Sequence, residues 1–262
     1  MAAAPDIIAV IPARYESVRL PGKPLADIGG KPMIRHVFER AKEATLVSRV
    51  VVATDHEAIA SAVREFGGEA AMTPSGLRSG TDRIAFFAKS LAGNPVLVNV
   101  QGDEPFVTGA MIDAAVRPLL DDPSVVAGTL AAPMPGGKSG ARPGGGSDEL
   151  SDPSVVKVAV ALNGDALYFS RSPIPYNREG GPCTVYRHFG LYAYRKDFLS
   201  MVASWEPTPL ETAEKLEQLR ILEHGYRIRV TVGEYETVSV DTPEDLARAR
   251  KFYKDRHLAQ NA

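Results

Sequence analysis

Two patterns of hydrophobic and polar positions alternate along the first half of the chain. Short, nearly continuous apolar runs at residues 6–11 and 95–100 predict strands that are covered on both faces of a sheet. Apolar residues on one helical face within residues 32–44 predict a helix. The same patterns predict further strands at 49–54, 69–72 and 125–130, and further helices at 56–66, 81–91 and 111–120. Strands that alternate with helices in this way predict an α/β fold, with a mixed, mostly parallel central sheet flanked by helices.

The second half of the chain departs from this rhythm. Residues 133–147 contain six glycines and three prolines, which predict a loop or a short linker. Two apolar segments, 155–161 and 166–169, then flank the pair Asn163-Gly164 and predict a hairpin. The remaining predicted elements are strands at 188–194 and 227–232 and helices at 210–223 and 242–253.

The composition fits one folded domain and narrows the classes of function. With 262 residues, of which 44% are hydrophobic, the chain is expected to form a single α/β domain with one appended element. Lys and Arg number 30 against 32 Asp and Glu, a balance that argues against a nucleic-acid-binding surface. The single cysteine, Cys183, excludes an intrachain disulfide and fits a reducing compartment. The sequence contains no recognisable signal peptide or membrane-spanning run, so we expect a soluble, cytoplasmic protein with no membrane partner.

The segment between the first predicted strand and the first predicted helix concentrates positive charge. Arg14, Arg19 and Lys23 lie within ten residues, and Gly22 allows the backbone to approach a ligand. Open parallel sheets bind ligands at this edge, where arginine can fork onto phosphate oxygens and lysine can supply a compact charge. A basic turn that only faces water is the alternative. The position directly after a strand favours a phosphate site.

Other phosphate-binding and catalytic motifs are not supported. Gly137-Lys138-Ser139 resembles the end of a P-loop, but Ala132 stands where the first glycine of that motif is required. No GxGxxG follows the first strand, no second histidine completes an HExxH motif after His56, and no GxSxG is present. These observations argue against a dinucleotide site, a zinc protease site and a serine hydrolase.

Two aspartates each follow an apolar run: Asp103 after residues 95–100, and Asp241 after residues 238–240. Mg²⁺ prefers a few carboxylates together with water and the phosphate oxygens of a substrate. Two aspartates at the carboxyl ends of strands therefore predict a magnesium site. Each also has a local alternative, which is an Asx turn for Asp103 and capping of the last helix for Asp241, with Thr242 as the other candidate cap.

Several motifs, in the same order, resemble one enzyme family. Residues 11–34, IPARYESVRLPGKPLADIGGKPMI, are similar to the N-terminal signature of the 3-deoxy-manno-octulosonate (KDO) cytidylyltransferases. The segments SGTDR, QGDEP, ALYFSRSPIP, RHFGLYAY, LEQLR and VDTPEDL also match that family, so the resemblance covers about residues 7–250. It implies one domain of nucleotide-diphospho-sugar transferase-like fold with a smaller inserted hairpin for dimerisation. The implied parts are a nucleotide-binding half at about 1–132, a sugar-acid-binding and dimerisation element at about 150–225, and a closing strand and helix with the second metal ligand at about 226–262.

The activity implied by this resemblance is transfer of CMP from CTP to KDO, which yields CMP-KDO and pyrophosphate and activates KDO for lipopolysaccharide synthesis. The implied cofactor is Mg²⁺, and the implied assembly is a homodimer. The implied catalytic residues are Arg14, Lys23, Asp103 and Asp241, of which the two aspartates bind the metal. The implied nucleotide contacts are Ala13, Arg14, Lys23, Ser79, Gly80 and Gln101. The implied sugar-acid contacts are Arg19, Gln101, Arg171, His188, Tyr192, Glu217 and Gln218.

The predicted elements add geometry to the sugar-acid residues. Alternation along a strand places His188 and Tyr192 on one side, where both can face a common ligand. Neighbouring side chains on a helix differ in direction by about 100°, so Glu217 and Gln218 cannot point the same way. Arg171 follows a predicted strand and can fork onto a carboxylate, with a surface salt bridge as the alternative.

Two positions depart from the family pattern, since Leu77 stands where histidine is usual and Ser239 where glycine is usual. Three other functions stay open: the same reaction on another sugar acid such as sialic acid, a glycosyltransferase reaction, and nucleotide binding without catalysis. A glycosyltransferase typically carries a DxD metal pair, which Gly102-Asp103-Glu104 is not. The presence of both aspartates and of the basic loop favours a catalytic protein.

Overall fold

The computed structural model describes residues 5–17, 19–134, 148–179 and 183–260. Nearly all of the predicted glycine-rich loop, including Gly137-Lys138-Ser139, lies outside these residues. The chain divides into two compact units. Unit 1 comprises Met1–Asp113, Arg195–Ala203 and Glu236–Ala262, and unit 2 comprises Ala114–Tyr194 and Ser204–Tyr235.

Strands and helices alternate over most of the described chain. The strands are β1 Ile7–Ala13, β2 Asp27–Ile28, β3 Lys31–Pro32, β4 Arg49–Thr54, β5 Glu69–Met72, β6 Val96–Asn99, β7 Ala127–Pro133, β8 Lys157–Val160, β9 Ala166–Ser170, β10 Tyr186–Arg195 and β11 Arg229–Val232. The helices are α1 Met33–Lys42, α2 Glu57–Glu65, α3 Gly80–Ala88, α4 Gly109–Asp121, α5 Asp148–Ser151, α6 Lys196–Ser204, α7 Pro209–Glu214, α8 Leu219–Glu223 and α9 Pro243–Gln260, with a 3₁₀ turn at Lys23–Leu25. No described helix has both the length and the apolar character needed to cross a membrane.

Unit 1 contains four parallel strands in the order β5-β4-β1-β6. In the register of this sheet, Ile8 of β1 lies beside Arg49 of β4 and Leu97 of β6. All residues of β1 from Ile7 to Ile11 are buried, as expected of a strand that is covered on both faces. Helices α1, α2 and α3 pack against these strands. The predicted strands and helices of residues 6–100 are therefore confirmed, with small differences at their ends.

A second core in unit 1 joins residues that are far apart in the chain. Its buried members are Ile28, Met33, Phe106, Val240, Leu246 and Ala249. Gly29 lies beside this core with φ of +63°, and a Cβ atom there would lie 2.1 Å from the Tyr253 ring. Glycine suits this position because it adopts a positive φ without strain and leaves room for the ring. This core holds the start of α9, and with it Asp241, against the chain that follows the basic loop.

Unit 2 contains a mixed sheet. β7 pairs in parallel with β11 and antiparallel with β10, while the pairs β10–β8 and β8–β9 are antiparallel. The predicted hairpin is confirmed, because Gly164, with φ of +84°, lies in the turn between β8 and β9. Helix α4 packs closely on β7, since a Cβ atom at Gly128 would lie 2.4 Å from the carbonyl oxygen of Ala115.

The single helix predicted over residues 210–223 is wrong, because α7 and α8 are separate. Lys215 has φ of +54°, a left-handed conformation that ends α7. Arg220 of α8 donates to the two carboxylate oxygens of Glu211 in α7, at 2.7 and 2.5 Å. Both side chains are largely buried, so this ion pair fastens α8 to α7. The apolar spacing continues through the break and therefore could not reveal it.

The region around the last helix also differs from expectation. Residues 233–240 form no strand, so Asp241 follows an irregular segment rather than a strand end. The Val240 amide nevertheless donates to the Asp103 carbonyl at 2.9 Å, which ties this segment to the turn after β6. Helix α9 continues to Gln260, beyond the predicted end at 253. The sequence there is largely polar, so apolar spacing could not indicate the last turns.

Candidate active site

The basic loop after β1 is folded back on itself by backbone hydrogen bonds. The Gly22 amide donates to the Tyr15 carbonyl at 3.2 Å, and the Lys23 amide donates to the Leu20 carbonyl at 3.1 Å. Gly22 has φ of +66° and directly precedes the 3₁₀ turn that begins at Lys23. Because glycine adopts this left-handed conformation without strain, it fixes where the Lys23 side chain leaves the backbone.

Lys23 joins the two aspartates on which the metal-site prediction rests. Its ammonium group lies 2.7 Å from Asp103 Oδ2 and 2.9 Å from Asp241 Oδ1. Arg19 Nη2 lies 3.3 Å from the other oxygen of Asp241, Oδ2. Burial acts to lower the pKa of Lys23, but attraction to Asp103 and hydrogen bonds to both carboxylates outweigh it, so the pKa is raised. Lys23 is therefore positively charged and lies between two carboxylates.

The start of α9 shows that the Asp241 side chain does not cap the helix. Thr242 Oγ1 accepts a hydrogen bond from the Asp245 amide at 3.2 Å. Asp245 Oδ2 in turn accepts from the amides of Asp241 and Thr242, at 3.0 and 2.9 Å. This reciprocal arrangement is a capping box. The capping alternative for Asp241 is thus wrong, and its carboxylate instead meets Lys23 and Arg19.

One cavity of about 390 Å³ collects every site residue that the sequence predicted within unit 1. Those residues are Ala13, Arg14, Arg19, Lys23, Ser79, Gly80, Gln101, Asp103 and Asp241. Leu77, the departure from the family pattern, also lines it. Arg14 is exposed and makes no ion pair with another described residue, so its charge faces the cavity without a partner.

Close backbone packing shapes this cavity. A Cβ atom at Gly102 would lie 2.8 Å from the carbonyl oxygen of Pro12, so only glycine lets the turn after β6 lie against the end of β1. A Cβ atom at Gly80 would lie 3.1 Å from the ring of Pro12. Ser79 caps α3 by accepting a hydrogen bond from the Asp82 amide at 3.1 Å. The cavity therefore meets the positive end of a helix dipole, which favours an anion.

Sequence reasoning did not assign Arg83 and Asp55, which form a buried ion pair beside the cavity. Arg83 lines the cavity although only 3% of its surface is exposed. Its Nη2 donates to Asp55 Oδ2 at 2.8 Å, and its Nη1 donates to Thr73 Oγ1. Asp55 Oδ1 accepts from the Tyr15 amide at 3.4 Å, so the pair connects α3 to the basic loop. The available signal was Asp55 itself, a carboxylate that directly follows the buried strand β4.

Arg171 is held by internal carbonyl groups in unit 2. Its Nε donates to the Glu214 carbonyl at 2.7 Å, its Nη1 to the Pro153 carbonyl at 2.8 Å, and its Nη2 to the Lys215 carbonyl at 3.3 Å. The buried Lys157 supports the same region by donating to the Arg171 carbonyl at 2.9 Å. The guanidinium group is thus not the open fork that the sequence predicted, because the backbone already uses all three of its nitrogens.

His188 is a buried structural residue in unit 2. Its Nε2 lies 3.0 Å from Thr129 Oγ1. The centroid of its ring lies 4.9 Å from that of Phe169 and 5.4 Å from that of Tyr192. Burial lowers the pKa of His188 to about 3, so the imidazole is neutral near pH 7. The prediction that His188 and Tyr192 share one side of the strand is confirmed by their ring contact.

Tyr192 differs from His188 in one respect. It is 6% exposed, and its hydroxyl group makes no hydrogen bond of good geometry with a described residue, although the Thr129 side chain lies close enough to act on its pKa. Burial raises the pKa of this hydroxyl well above its usual value, so it stays protonated and able to donate. A buried hydroxyl without a partner is costly, and a ligand oxygen would satisfy it.

Glu217 and Gln218 lie in the turn between α7 and α8. The helical argument that these side chains differ in direction by about 100° is therefore wrong, because it assumed an unbroken helix. Gln218 is buried and Glu217 is half-buried. Like Arg171, His188 and Tyr192, both belong to unit 2, whereas the cavity residues belong to unit 1.

The chemistry of Asp103 and Asp241 fits a magnesium ion. Both carboxylates converge on one cation, the Lys23 ammonium, so both can face the same positively charged ligand. Among the described residues, no group of three or more His, Cys, Asp or Glu side chains could hold a metal ion. Two carboxylates suffice for Mg²⁺ when water and substrate phosphate oxygens complete its shell.

Comparison with known proteins decides the family. Residues 8–228 match the sequence profile described as cytidylyltransferase. Over 260 residues the chain is 50% identical to the 3-deoxy-manno-octulosonate cytidylyltransferase of Pelobacter propionicus, with 95% of this chain and 98% of that protein covered. The chain belongs to the 3-deoxy-manno-octulosonate cytidylyltransferase family. The protein of the same description from Geobacter sulfurreducens is also 50% identical, over 95% of this chain and 100% of its own length.

Solved structures agree with membership of this cytidylyltransferase family. The structure of CMP:2-keto-3-deoxy-manno-octonic acid synthetase complexed with CTP matches with a TM-score of 0.88 and 40% identity, and covers 96% of this chain and 99% of that one. A glucose-1-phosphate thymidylyltransferase from Bacillus anthracis matches with a TM-score of 0.66 at 17% identity, over 95% of this chain and 96% of that one. At that identity the second likeness shows the fold alone. The predicted fold class and family resemblance are both confirmed.

Proposed function

We propose that the protein transfers CMP from CTP to KDO and releases pyrophosphate. The observation that carries this proposal is the meeting of Lys23, Asp103 and Asp241 in one cavity at the end of β1. The relatives described as KDO cytidylyltransferases, aligned over nearly the whole chain, support KDO as the acceptor. The structure that matches with a TM-score of 0.88 is a complex with CTP, which supports CTP as the donor.

The proposed chemistry is an attack by the anomeric hydroxyl of KDO on the α-phosphorus of CTP. The bond from the α-phosphorus to the bridging oxygen breaks, pyrophosphate leaves with that oxygen, and the proton of the attacking hydroxyl is released to water. Most of the protein's contribution to such a transfer is positioning and charge neutralisation. Arg14, Arg19 and Lys23 supply positive charge, and the capped end of α3 adds backbone amides.

We further propose that Asp103 and Asp241 hold magnesium. The ion would neutralise charge on the reacting phosphates, an effect that contributes several kcal/mol in enzymes of this kind. The convergence of both carboxylates on one ammonium group supports this assignment.

The proposed sugar-acid contacts have unequal support. Arg19 and Gln101 line the same cavity as the aspartates. In unit 2, the Tyr192 hydroxyl, which lacks a well-formed hydrogen bond among the described residues, supports a direct contact with a ligand. The internal partners of Arg171 and His188 favour a supporting role for these two. Glu217 and Gln218 rest on the resemblance alone.

We propose that the protein forms a homodimer through unit 2. Its hairpin and the segment that follows expose three large apolar side chains, Leu162, Leu167 and Tyr176. Leu167 is 64% exposed and Tyr176 is 87% exposed, which is unfavourable for an isolated subunit in water. We also propose that the reaction takes place in the cytoplasm and supplies lipopolysaccharide synthesis, in which KDO is used.

Pyrophosphate release from CTP tests the proposed activity. We expect release with KDO, little release with sialic acid, and loss of release when a chelator removes divalent metal. Asp103→Asn should lower kcat/KM by at least about a hundredfold, because several kcal/mol of charge stabilisation would be lost. Glu244→Gln is the matched control, since it removes one exposed negative charge close to Asp241 in the sequence and should leave the rate unchanged. CTP binding without pyrophosphate release from any sugar acid would instead indicate a non-catalytic protein.

A further inference from the structure

Both oxygens of Asp241 and one oxygen of Asp103 are already occupied by cations of the chain. Lys23 Nζ lies 2.7 Å from Asp103 Oδ2 and 2.9 Å from Asp241 Oδ1, and Arg19 Nη2 lies 3.3 Å from Asp241 Oδ2. The Lys23 side chain is only 15% exposed, whereas that of Arg19 is 64% exposed. Of the two cations, Lys23 is therefore the one that water screens less.

A metal ion and the Lys23 ammonium cannot share this position. The ammonium group already lies against one oxygen of each carboxylate, and a metal ion bound by both carboxylates would lie so close to it that the two cations would repel each other strongly in a partly buried site. The charges nevertheless balance in either arrangement. Two carboxylates are neutralised by Lys23 together with Arg19, and they would be neutralised equally well by one divalent ion.

We propose that Lys23 is a placeholder for the metal: its ammonium group occupies the metal position in the nucleotide-free protein and moves to the triphosphate when nucleotide and metal bind. The inference rests on the function proposed above. The backbone turn at Gly22 fixes the base of the Lys23 side chain, while its four-carbon stem is flexible enough for the ammonium group to move. The triphosphate supplies the new anionic partner, next to Arg14, which has no ion-pair partner among the described residues.

This exchange has two consequences. Without nucleotide, the placeholder keeps Asp103 and Asp241 from repelling each other and makes metal binding weak, because the metal must displace an ion pair. When nucleotide is bound, the ammonium group pairs with the triphosphate instead of the two aspartates, so metal binding becomes tighter. By linkage, metal must strengthen nucleotide binding by the same factor.

Manganese binding tests the proposal independently of turnover. Mn²⁺ takes similar oxygen ligands to Mg²⁺ and can be followed by electron paramagnetic resonance. The full-length protein and its Lys23→Met variant would be titrated with Mn²⁺ alone, and then with CTP present and the sugar acid absent. Titration of Mn²⁺ into CTP alone measures the Mn²⁺ that CTP itself binds, and this amount is subtracted. Lys23→Gln is the second variant, should the methionine variant fold poorly.

We expect Lys23→Met to bind Mn²⁺ without nucleotide about ten- to a hundredfold more tightly than the parent protein, because charged hydrogen bonds no longer have to be broken. CTP should tighten Mn²⁺ binding much more in the parent than in the variant. Lys31→Met is the matched control: Lys31 pairs with Glu39 at 2.7 Å, away from the residues that line the cavity, so its loss should change nothing. Asp103→Asn should abolish binding in both backgrounds.

Each other outcome has a distinct meaning. Equal Mn²⁺ affinity of the parent and the Lys23 variants without nucleotide overturns the placeholder, while pyrophosphate release by the parent would leave the proposed function standing. Absence of protein-bound Mn²⁺ even with CTP overturns both the placeholder and the proposed metal site. If the Mn²⁺ affinities change as expected but the parent protein releases no pyrophosphate, the placeholder is supported and the proposed reaction is rejected.

Discussion

Neighbouring carboxylates, rather than bulk water, neutralise two of the cations that line the cavity. Lys23 is held by Asp103 and Asp241, and Arg83 is held by Asp55. In the second pair both side chains are largely buried, at 4% and 12% exposure. Removal of one partner from such a pair leaves an uncompensated buried charge, which is far more costly than loss of a surface ion pair. The buried pair of Arg83 and Asp55 therefore keeps a fixed position beside the cavity.

His188 shows the opposite case, an ionisable residue kept neutral. It lies among Thr129, Phe169 and Tyr192, with no carboxylate among these neighbours to favour the charged form. Because burial lowers its pKa from the usual 6.5 to about 3, it carries no charge near pH 7. A general acid or base in this reaction is thus not to be sought at His188.

The buried histidine predicts a loss of stability in acid. Below pH 6.5 the unfolded chain binds a proton at this position, while the folded chain does not until about pH 3. The free energy of unfolding should therefore fall by up to about 1.4 kcal/mol per pH unit through this window. Urea unfolding of the parent and of His188→Gln at a series of pH values measures this slope, which should be shallower in the variant. His224→Gln, at an exposed position, is the control, and equal slopes for parent and His188→Gln would contradict the prediction.

At the scale of elements, helix α9 carries Asp241 into the cavity. Its capping box uses Thr242 and Asp245, which leaves the Asp241 carboxylate available to cations. Its apolar residues, together with Val240 just before it, pack into the same core as Ile28 and Met33. The position of the carboxylate thus depends on how α9 is seated against the β2–β3 turn.

Two adjacent glycines in that turn test this seating. A Cβ atom at Gly29 would lie 2.1 Å from the Tyr253 ring of α9, whereas one at Gly30 would meet nothing within 4 Å. Both residues have positive φ, so each alanine substitution should cost about 1 kcal/mol of backbone strain. Gly29→Ala should cost about 1–3 kcal/mol more, because the ring must move out of its place beside His36. Denaturant unfolding measures both variants, and equal losses would show that α9 is not held here.

At the scale of the whole chain, unit 1 is assembled from three separate stretches, so its cavity requires both ends of the sequence. Asp103 lies in the first stretch and Asp241 in the last. The residues of unit 2 lie between Asp103 and Asp241 in the sequence, and they include the exposed apolar side chains Leu162, Leu167 and Tyr176. A long-range fold of this kind means that no single segment contains the site.

The apolar surface of unit 2 predicts the state of assembly. Leu167→Glu places a charge in the proposed interface and should convert the dimer to a monomer, because a buried unpaired charge is costly. Phe86→Glu, at a residue of unit 1 that is 39% exposed, is the control and should leave the dimer intact. Light scattering coupled to size-exclusion chromatography reports the mass of each. A parent protein that runs as a monomer at micromolar concentration would contradict the proposal.

The sequence alone predicted the strands and helices of residues 6–100, because they follow from local patterns, and the resemblance of its motifs to one family named many of the residues that line the cavity. Buried parallel strands are continuous apolar runs, and ligands gather in the turns that follow them. The motifs around Lys23, Asp103 and Asp241 therefore pointed to one site before the fold was known. The hairpin at Asn163-Gly164 was likewise predicted from a local signal, the Asn-Gly pair between two apolar segments.

Tertiary structure decided what depends on contacts between distant residues. The placement of Lys23 between two carboxylates, the pairing of Arg83 with Asp55 and the carbonyl partners of Arg171 each join segments far apart in the chain. The break at Lys215 is stabilised by an ion pair across it, which no periodicity encodes. Local pattern reports how a segment buries its own apolar face, whereas the partner of each polar group is set only when the segments pack together.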